Sequence, residues 1–342
     1  MLPSSPLADL DPTRLLRARD AIYATDLLIA TITEYDFFHR LSGRSWTRTE
    51  LQSEFGIAAR PLDVMLTLFC AMDLLKWAGD RFELSRQAAS FLTHESRWDM
   101  GPYFASLKLR PQIQQIVSVL ASDRPADWES SATNQDWATS MGDDAFARRF
   151  TAAMNGRGEW LGPSLADALA LERATSVLDV GGGSGVYARI IKERHPELRV
   201  AVLEKAPVDR VARNYLDLTD AGKKTEVLTG DMFVSIPEGF GVHLFSNVLH
   251  DWRSSQVREL LERSRASLPL GGLIAVHDAF IHRDKRGPLA VAEYSVLLML
   301  LSEGQCYSIG EMEIFLEKAG FTDIDYRDTV ADRGVMTARA GL

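Results

Sequence analysis

The sequence predicts an α/β protein, a doubly wound parallel sheet, preceded by an all-α domain that contains a winged helix. Three observations carry this expectation. Residues 12–160 show helical periodicity with little strand signal, whereas residues 175–340 alternate short β-branched runs with helical stretches. A short apolar run, 175–180, enters the cluster Gly181-Gly182-Gly183-Ser184-Gly185, and a helical stretch follows it. Residues 47–84 read as helix, turn, helix and hairpin. A chain of 342 residues suggests two domains at roughly 100–200 residues each. We place them at 1–159 and 160–342.

The N-terminal part comes first. Thr49 is a cap for a short helix from Glu50 to Phe55, and Gly56 can end it. A second helix starts near Arg60, with Leu62, Leu66 and Phe69 on one face. Two apolar runs, 74–77 and 81–84, flank Ala78-Gly79-Asp80 as a hairpin. A winged helix often binds DNA, but here the charges argue against it. Residues 1–100 hold eleven Lys/Arg against fourteen Asp/Glu, and phosphate neutralisation needs several basic groups on one face. Packing or dimerisation is the expected role. Residues 101–160 are helical and rich in large rings, including Tyr103, Phe104, Trp128, Trp137, Phe146, Phe150 and Trp160, most of them expected in the core.

Composition excludes several classes. A hydrophobic fraction of 46% and a charged fraction of 25% are those of an ordinary globular chain. The net charge of −9 makes a poor general binder of nucleic acid or anionic membrane. Cys70 and Cys306 stand far apart, which argues against a disulfide framework or a CxxC zinc site and fits a reducing compartment. The opening MLPSSPLADLDPTR has no signal-peptide core. The apolar run 296–301 is far short of the ~20 residues a membrane span needs. A soluble, cytoplasmic protein is expected.

Strand, glycine loop and helix in succession mark the place where an α/β sheet binds a nucleotide-like ligand. Glycines let the backbone approach the ligand, and the helix start offers free N–H groups. A dinucleotide fingerprint would need glycine where Val186 stands, and the Lys-Ser/Thr end of a P-loop is missing. Instead an acid, Asp179, precedes Gly181, which suits a ligand with a cationic amino group. The next strand, 199–204, ends in Glu204, placed to hold ribose hydroxyls. A third, 225–229, leads to Asp231 and Met232, a pair that can hold an adenine by its amine and its ring.

With these residues in place, the sequence resembles the S-adenosylmethionine-dependent O-methyltransferases of the plant caffeate and bacterial polyketide type. These join a winged-helix dimerisation domain to a class I methyltransferase domain with a Rossmann-like sheet. The resemblance covers nearly the whole chain. It rests on Phe150-Thr-Ala-Ala-Met154, the glycine loop, Gly230-Asp-Met-Phe233, Ser246-Asn-Val-Leu-His-Asp-Trp252, Gly271-Gly272 and Ala319-Gly-Phe321. It implies that Asp179, Gly181, Gly182 and Gly183 hold the methionine part of the cofactor. It likewise implies Glu204 on the ribose, Asp231 and Met232 on the adenine, and Ser246 and Trp252 as further cofactor contacts. Plant members carry Lys where Ser246 stands. The resemblance also implies an acceptor pocket lined by Met154, Tyr294, Leu298 and Cys306, and a homodimer through the N-terminal domain.

Methyl transfer from a sulfonium needs in-line placement and removal of the nucleophile's proton. A phenol is mostly protonated at pH 7, its pKa being about 10, so a histidine near neutrality is the natural base. Of seven histidines, His250 follows the strand 242–246 on the edge that carries the cofactor acids, and the resemblance makes it the base. The strand 272–277 ends at Asp278, the expected orienter, one methylene shorter than the Glu of plant members. A second family acid aligns with Cys306, where a neutral thiol cannot replace it. No metal site is expected: His277 and Asp278 are strand neighbours facing opposite ways, and His282 falls in a polar loop. The expected reaction is O-methylation of a small aromatic acceptor. Its rivals are N- or C-methylation, a cofactor-binding relative that transfers no methyl, and a winged-helix transcription factor with a ligand-sensing domain.

Overall fold

A computed structural model of the chain describes residues 10–126 and 137–341. Trp128 lies outside them, and so does the side chain of Trp137. The chain divides into two compact units, residues 1–124 with 284–300, and residues 125–283 with 301–342. The division falls earlier than 159/160, because the helix Asp144–Ala168 runs unbroken through that point. It also returns a late segment, 284–300, to the first unit.

In the first unit β1 (Trp46–Thr47), β2 (Leu75–Ala78) and β3 (Arg81–Leu84) form a sheet in the order β1-β3-β2. The helices Arg48–Phe55 and Ala59–Ala71 precede the β2–β3 hairpin, as the sequence predicts. The cap of the first helix is Thr47 and not Thr49. Thr47 accepts from the Glu50 amide at 3.2 Å, and Glu50 Oε2 accepts from the Thr47 amide at 2.7 Å. This reciprocal pair satisfies two orphan donors at once. The helix Ala59–Ala71 buries Leu62, Leu66 and Phe69. Arg60 donates from both terminal nitrogens to the Met299 carbonyl at 3.3 Å, and Lys285 meets Asp63 at 2.8 Å. Both contacts fasten the returning segment within its unit. Tyr103 departs from the expected core and stands 73% exposed.

In the second unit seven strands are seen among the described residues: β4 (Ser176–Val180), β5 (Arg199–Glu204), β6 (Glu226–Thr229), β7 (Val242–Ser246), β8 (Leu273–Asp278), β9 (Phe321–Asp328) and β10 (Gly334–Ala340). Their order is β6-β5-β4-β7-β8-β10-β9. The first five named run parallel, and β10 is antiparallel to both β8 and β9. The sheet is therefore mixed, not wholly parallel. A tight return at 329–333 allows an antiparallel pair, whereas each parallel step needs a crossover. β4, β7 and β8 are buried at every position, because apolar layers cover both faces. Leu178, Phe245 and Val276 enter one layer, and Val177, Leu244 and Ala275 enter the other.

The helix Asp144–Ala168 lies close against Val186–Arg194. A Cβ on Gly158 would stand 2.4 Å from Val186 Cγ1, and one on Gly162 would stand 2.3 Å from Ile190 Cδ1. Alanine at either place would push the helices apart. This approach brings the middle of the long helix to the glycine loop, where Asn155 bonds to Ser184.

Candidate active site

The strand order reverses between β4 and β7, since β5 and β6 extend one way and β8 the other. In such sheets a crevice opens beyond the strand ends at that reversal. Here an open cleft holds about 1070 Å³ of empty space, counting the solvent at its mouth. Its lining includes Gly181, Gly182, Gly183, Glu204, Asp231 and Met232.

The loop's geometry needs its glycines. Gly181 and Gly183 adopt φ of 67° and 60°, the left-handed region that L side chains rarely enter. A Cβ on Gly182 would stand 2.5 Å from Asp179 Oδ2, so the loop wraps directly over that carboxylate. Asp179 is fully buried at the end of β4. Among the described residues neither of its oxygens accepts a hydrogen bond of normal geometry. Burial, and then the negative charge of Glu204, push its pKa up to about 7, and the Ala188 amide offsets this only weakly. Glu204 is also pushed up to about 7, chiefly by burial. Its two oxygens accept from the Gly183 and Lys205 amides, each at 3.0 Å. Asp231 Oδ1 accepts from the Phe233 amide at 2.8 Å and so shapes the turn after β6. The Phe233 and Trp252 rings meet edge to face at 4.7 Å. An unpartnered buried carboxylate beneath an open glycine loop fits a ligand that brings its own cation.

Beyond β7 the chain turns through Asn247, at a φ of 53°, into a short 3₁₀ turn, Leu249–Asp251. His250 sits on that turn and is 3% exposed. Its Nδ1 is hydrogen-bonded to Asp278 Oδ1. The shorter Asp278 side chain therefore does reach the ring. Burial alone would raise the Asp278 pKa, but the His250 ring, the Ala279 amide and Arg333 outweigh it and hold the carboxyl below its ordinary value. With Nδ1–H donated to this carboxylate, the lone pair lies on Nε2. Asp251 Oδ1 stands 3.7 Å from that nitrogen, and burial raises the Asp251 pKa to about 6.

Other predicted residues take different places. Ser246 is buried and bonded to His277 Nδ1 at 2.9 Å, while also lining the cleft. Burial drives the His277 pKa down to about 3, and its other nitrogen meets Thr329 at 3.3 Å. His277 is thus a neutral structural group, and His282 is exposed. Met154 lines the cleft, whereas Cys306 is a buried thiol of the same unit, not joined in a disulfide. Tyr294 and Leu298 lie buried on the helix Leu289–Leu301, in the segment that belongs to the first unit. Among the described residues no cluster of His, Cys, Asp or Glu is placed to hold a metal, and no helix is long and apolar enough to cross a membrane.

The sequence reading missed Asn155, Arg157, Tyr187, Lys205 and Asp251, all of which line the cleft. Asn155 bonds to Ser184 in the glycine loop, and the Tyr187 hydroxyl accepts from Asn247 at 3.1 Å. Their positions gave a signal. Asn155 follows Met154, Lys205 follows Glu204, Asp251 follows His250, and Tyr187 lies one residue inside the helix that the loop starts.

Residues 115–322 match the O-methyltransferase domain family, which is more than half of the chain. The 3-hydroxy-5-methyl-1-naphthoate 3-O-methyltransferase of Streptomyces sahachiroi is 25% identical over 325 residues, covering 92% of this chain and 90% of that one. The tetracenomycin polyketide synthesis 8-O-methyl transferase of Streptomyces glaucescens is 27% identical over 318 residues, covering 92% of each. Among solved structures, an O-methyltransferase family 2 protein from Planctomyces limnophilus, in complex with apigenin, aligns with a TM-score of 0.87 at 28% identity over 96% of both chains. The chain belongs to the O-methyltransferase family and is an S-adenosylmethionine-dependent O-methyltransferase.

Proposed function

We propose that this chain moves the methyl group of S-adenosylmethionine to a hydroxyl of a small aromatic acceptor, with His250 as general base and Asp278 as its orienter. The observation that carries this is the His250–Asp278 contact, placed on the sheet edge beside the cleft of Asp179, Glu204 and Asp231. Asp179 and the glycines Gly181, Gly182 and Gly183 take the methionine end of the cofactor. Glu204 takes the ribose, and Asp231 with Met232 the adenine. Ser246 and Trp252 complete that side.

When bound, S-adenosylmethionine supplies a methyl group already activated on a sulfonium sulfur. The chain has two tasks left. It holds the acceptor oxygen in line, which by itself is a large rate factor. It also takes the proton: His250 Nε2 accepts it from the hydroxyl, and Asp278 stabilises the imidazolium that forms. The acceptor class follows the relatives, one named for a naphthoate, one for a polyketide, and one solved with apigenin. Met154, which lines the cleft, offers apolar surface of the kind a flat phenol needs.

The first unit is a winged-helix dimerisation module, and the protein works as a cytoplasmic homodimer. Ile22, Trp98, Tyr103 and Leu109 are all more than half exposed there, apolar surface that a second copy would cover. Sedimentation at micromolar concentration should give a dimer, and a stable, well-folded monomer would remove this part of the reading.

Calorimetric titration tests the cofactor. S-Adenosylmethionine and S-adenosylhomocysteine should both bind, and at 100 times the dissociation constant should stabilise the fold by about 2.7 kcal/mol. Binding of NAD in their place would overturn the assignment.

A further inference from the structure

We propose that Gly304 and Tyr307 form a positioning clamp that fixes the backbone of the His250 turn, so that the imidazole stays on Asp278. The inference rests on the reading of His250 as the base. Gly304 lies directly on that turn. A Cβ built on it would stand 1.9 Å from the His250 carbonyl oxygen and 2.6 Å from the Trp252 amide nitrogen. These are backbone atoms, so nothing flexible can move aside. Three residues on, the Tyr307 hydroxyl donates to the Trp252 carbonyl at 2.6 Å. The turn is thus held at two points, at His250 itself and two residues after it.

A clamp must be stiffer than what it holds, and this one is anchored on both sides. The Ile281 amide donates to the Tyr307 carbonyl at 3.1 Å, and the Ile309 amide donates to the Ile281 carbonyl at 2.9 Å. Ile281 stands three residues beyond Asp278 on the same run of chain. Ser308 then caps the helix Ile309–Lys318 reciprocally with Glu311. The Tyr307 ring sits in the core against Phe315, with centroids 5.5 Å apart. Asp278 fixes the ring of His250, while the segment 304–307, tied to the extension of Asp278's own strand, fixes its backbone. Neither Gly304 nor Tyr307 needs to touch the reacting atoms.

Two variants test this with a hydroxynaphthoate as acceptor. Tyr307→Phe keeps the core ring and removes only the hydroxyl. It should lower kcat roughly three- to tenfold, with a smaller change in S-adenosylmethionine affinity, since Trp252 also lines the cleft. Gly304→Ala should cost about 100-fold, the order expected of a 1 Å misplacement. The readout that a merely structural role would not move is the dependence on the base. The Tyr307→Phe deficit should shrink as pH rises past the acceptor's own pKa, where no base is needed. It should vanish in a His250→Ala background, because residues acting through one group are not additive. An equal loss with and without His250, or one that does not vary with pH, would remove the clamp alone. Full turnover in His250→Ala itself would remove the base and the clamp together.

Discussion

Two carboxylates lie toward the same edge of the sheet, in buried strands separated by β7, and meet opposite fates. Asp179, within β4, is pushed up to about 7, whereas Asp278, the last residue of β8, is held below its ordinary value. Both are buried, so burial does not separate them. The difference lies in what each touches. Asp278 has the His250 ring and the Ala279 amide, while Asp179 has glycine backbone folded over it, a second acid nearby and only the weak help of the Ala188 amide. A buried carboxylate with its donors present belongs to a finished arrangement. One without donors is a half-site, and the missing half is cationic. The edge thus divides into a side that waits for a ligand's charge and a side that is ready to take a proton.

Asp179→Asn strikes the first side hardest. Removing a charged partner should weaken S-adenosylmethionine binding about 10- to 100-fold, the size of a charge-assisted bond, with the fold intact. The same variant should flatten a pH dependence. Ionised Asp179 is needed to meet a cation, and its pKa is pushed up to about 7, so wild-type affinity should rise as pH rises through 7. Stability of the free protein runs the other way. A carboxyl whose folded pKa lies above its unfolded value binds more protons when folded, so that stability falls as pH rises toward 7. Calorimetry from pH 6 to 8 on both proteins reads these slopes. Equal affinity in the variant would break the comparison.

Asp278→Asn should do less, and on the other side. The ring keeps a neighbour of the same shape but loses the charge that stabilises its imidazolium. Turnover should fall about tenfold, less than on loss of the base itself. Cofactor affinity should stay within twofold of wild type, since Asp278 does not line the cleft. Steady-state kinetics paired with titration separates the two effects, and a shared loss would mean that the edge is not divided.

Much of this edge was legible in the sequence because it is local. Strand, glycines and a following helix fix Asp179 and the loop, and an acid at the end of the next strand fixes Glu204. The His-Asp-Trp run placed His250 just after the strand Val242–Ser246. What the sequence did not give was long-range. The β9–β10 pair joins the sheet antiparallel, and alternation alone cannot show its direction. The helix Asp144–Ala168 crosses the expected boundary because Gly158 and Gly162 seat it on the methyltransferase helix Val186–Arg194, a packing fact without a local signal. The returning segment 284–300 is similar, since Arg60 and Lys285 meet their partners across more than 200 residues. Thr47 displaced Thr49 as a cap for a reason that could have been read, the Glu three residues later.

The proton-taking side carries the central claim, and His250→Ala tests it most directly. With a phenolic acceptor at pH 7, kcat should fall about 10²- to 10⁴-fold while calorimetric affinity for S-adenosylmethionine stays near wild type. Above the acceptor's own pKa the deficit should close. Wild-type turnover at pH 7 would contradict the account, because transfer would then proceed by proximity alone, as it can to a nitrogen or an already ionised oxygen.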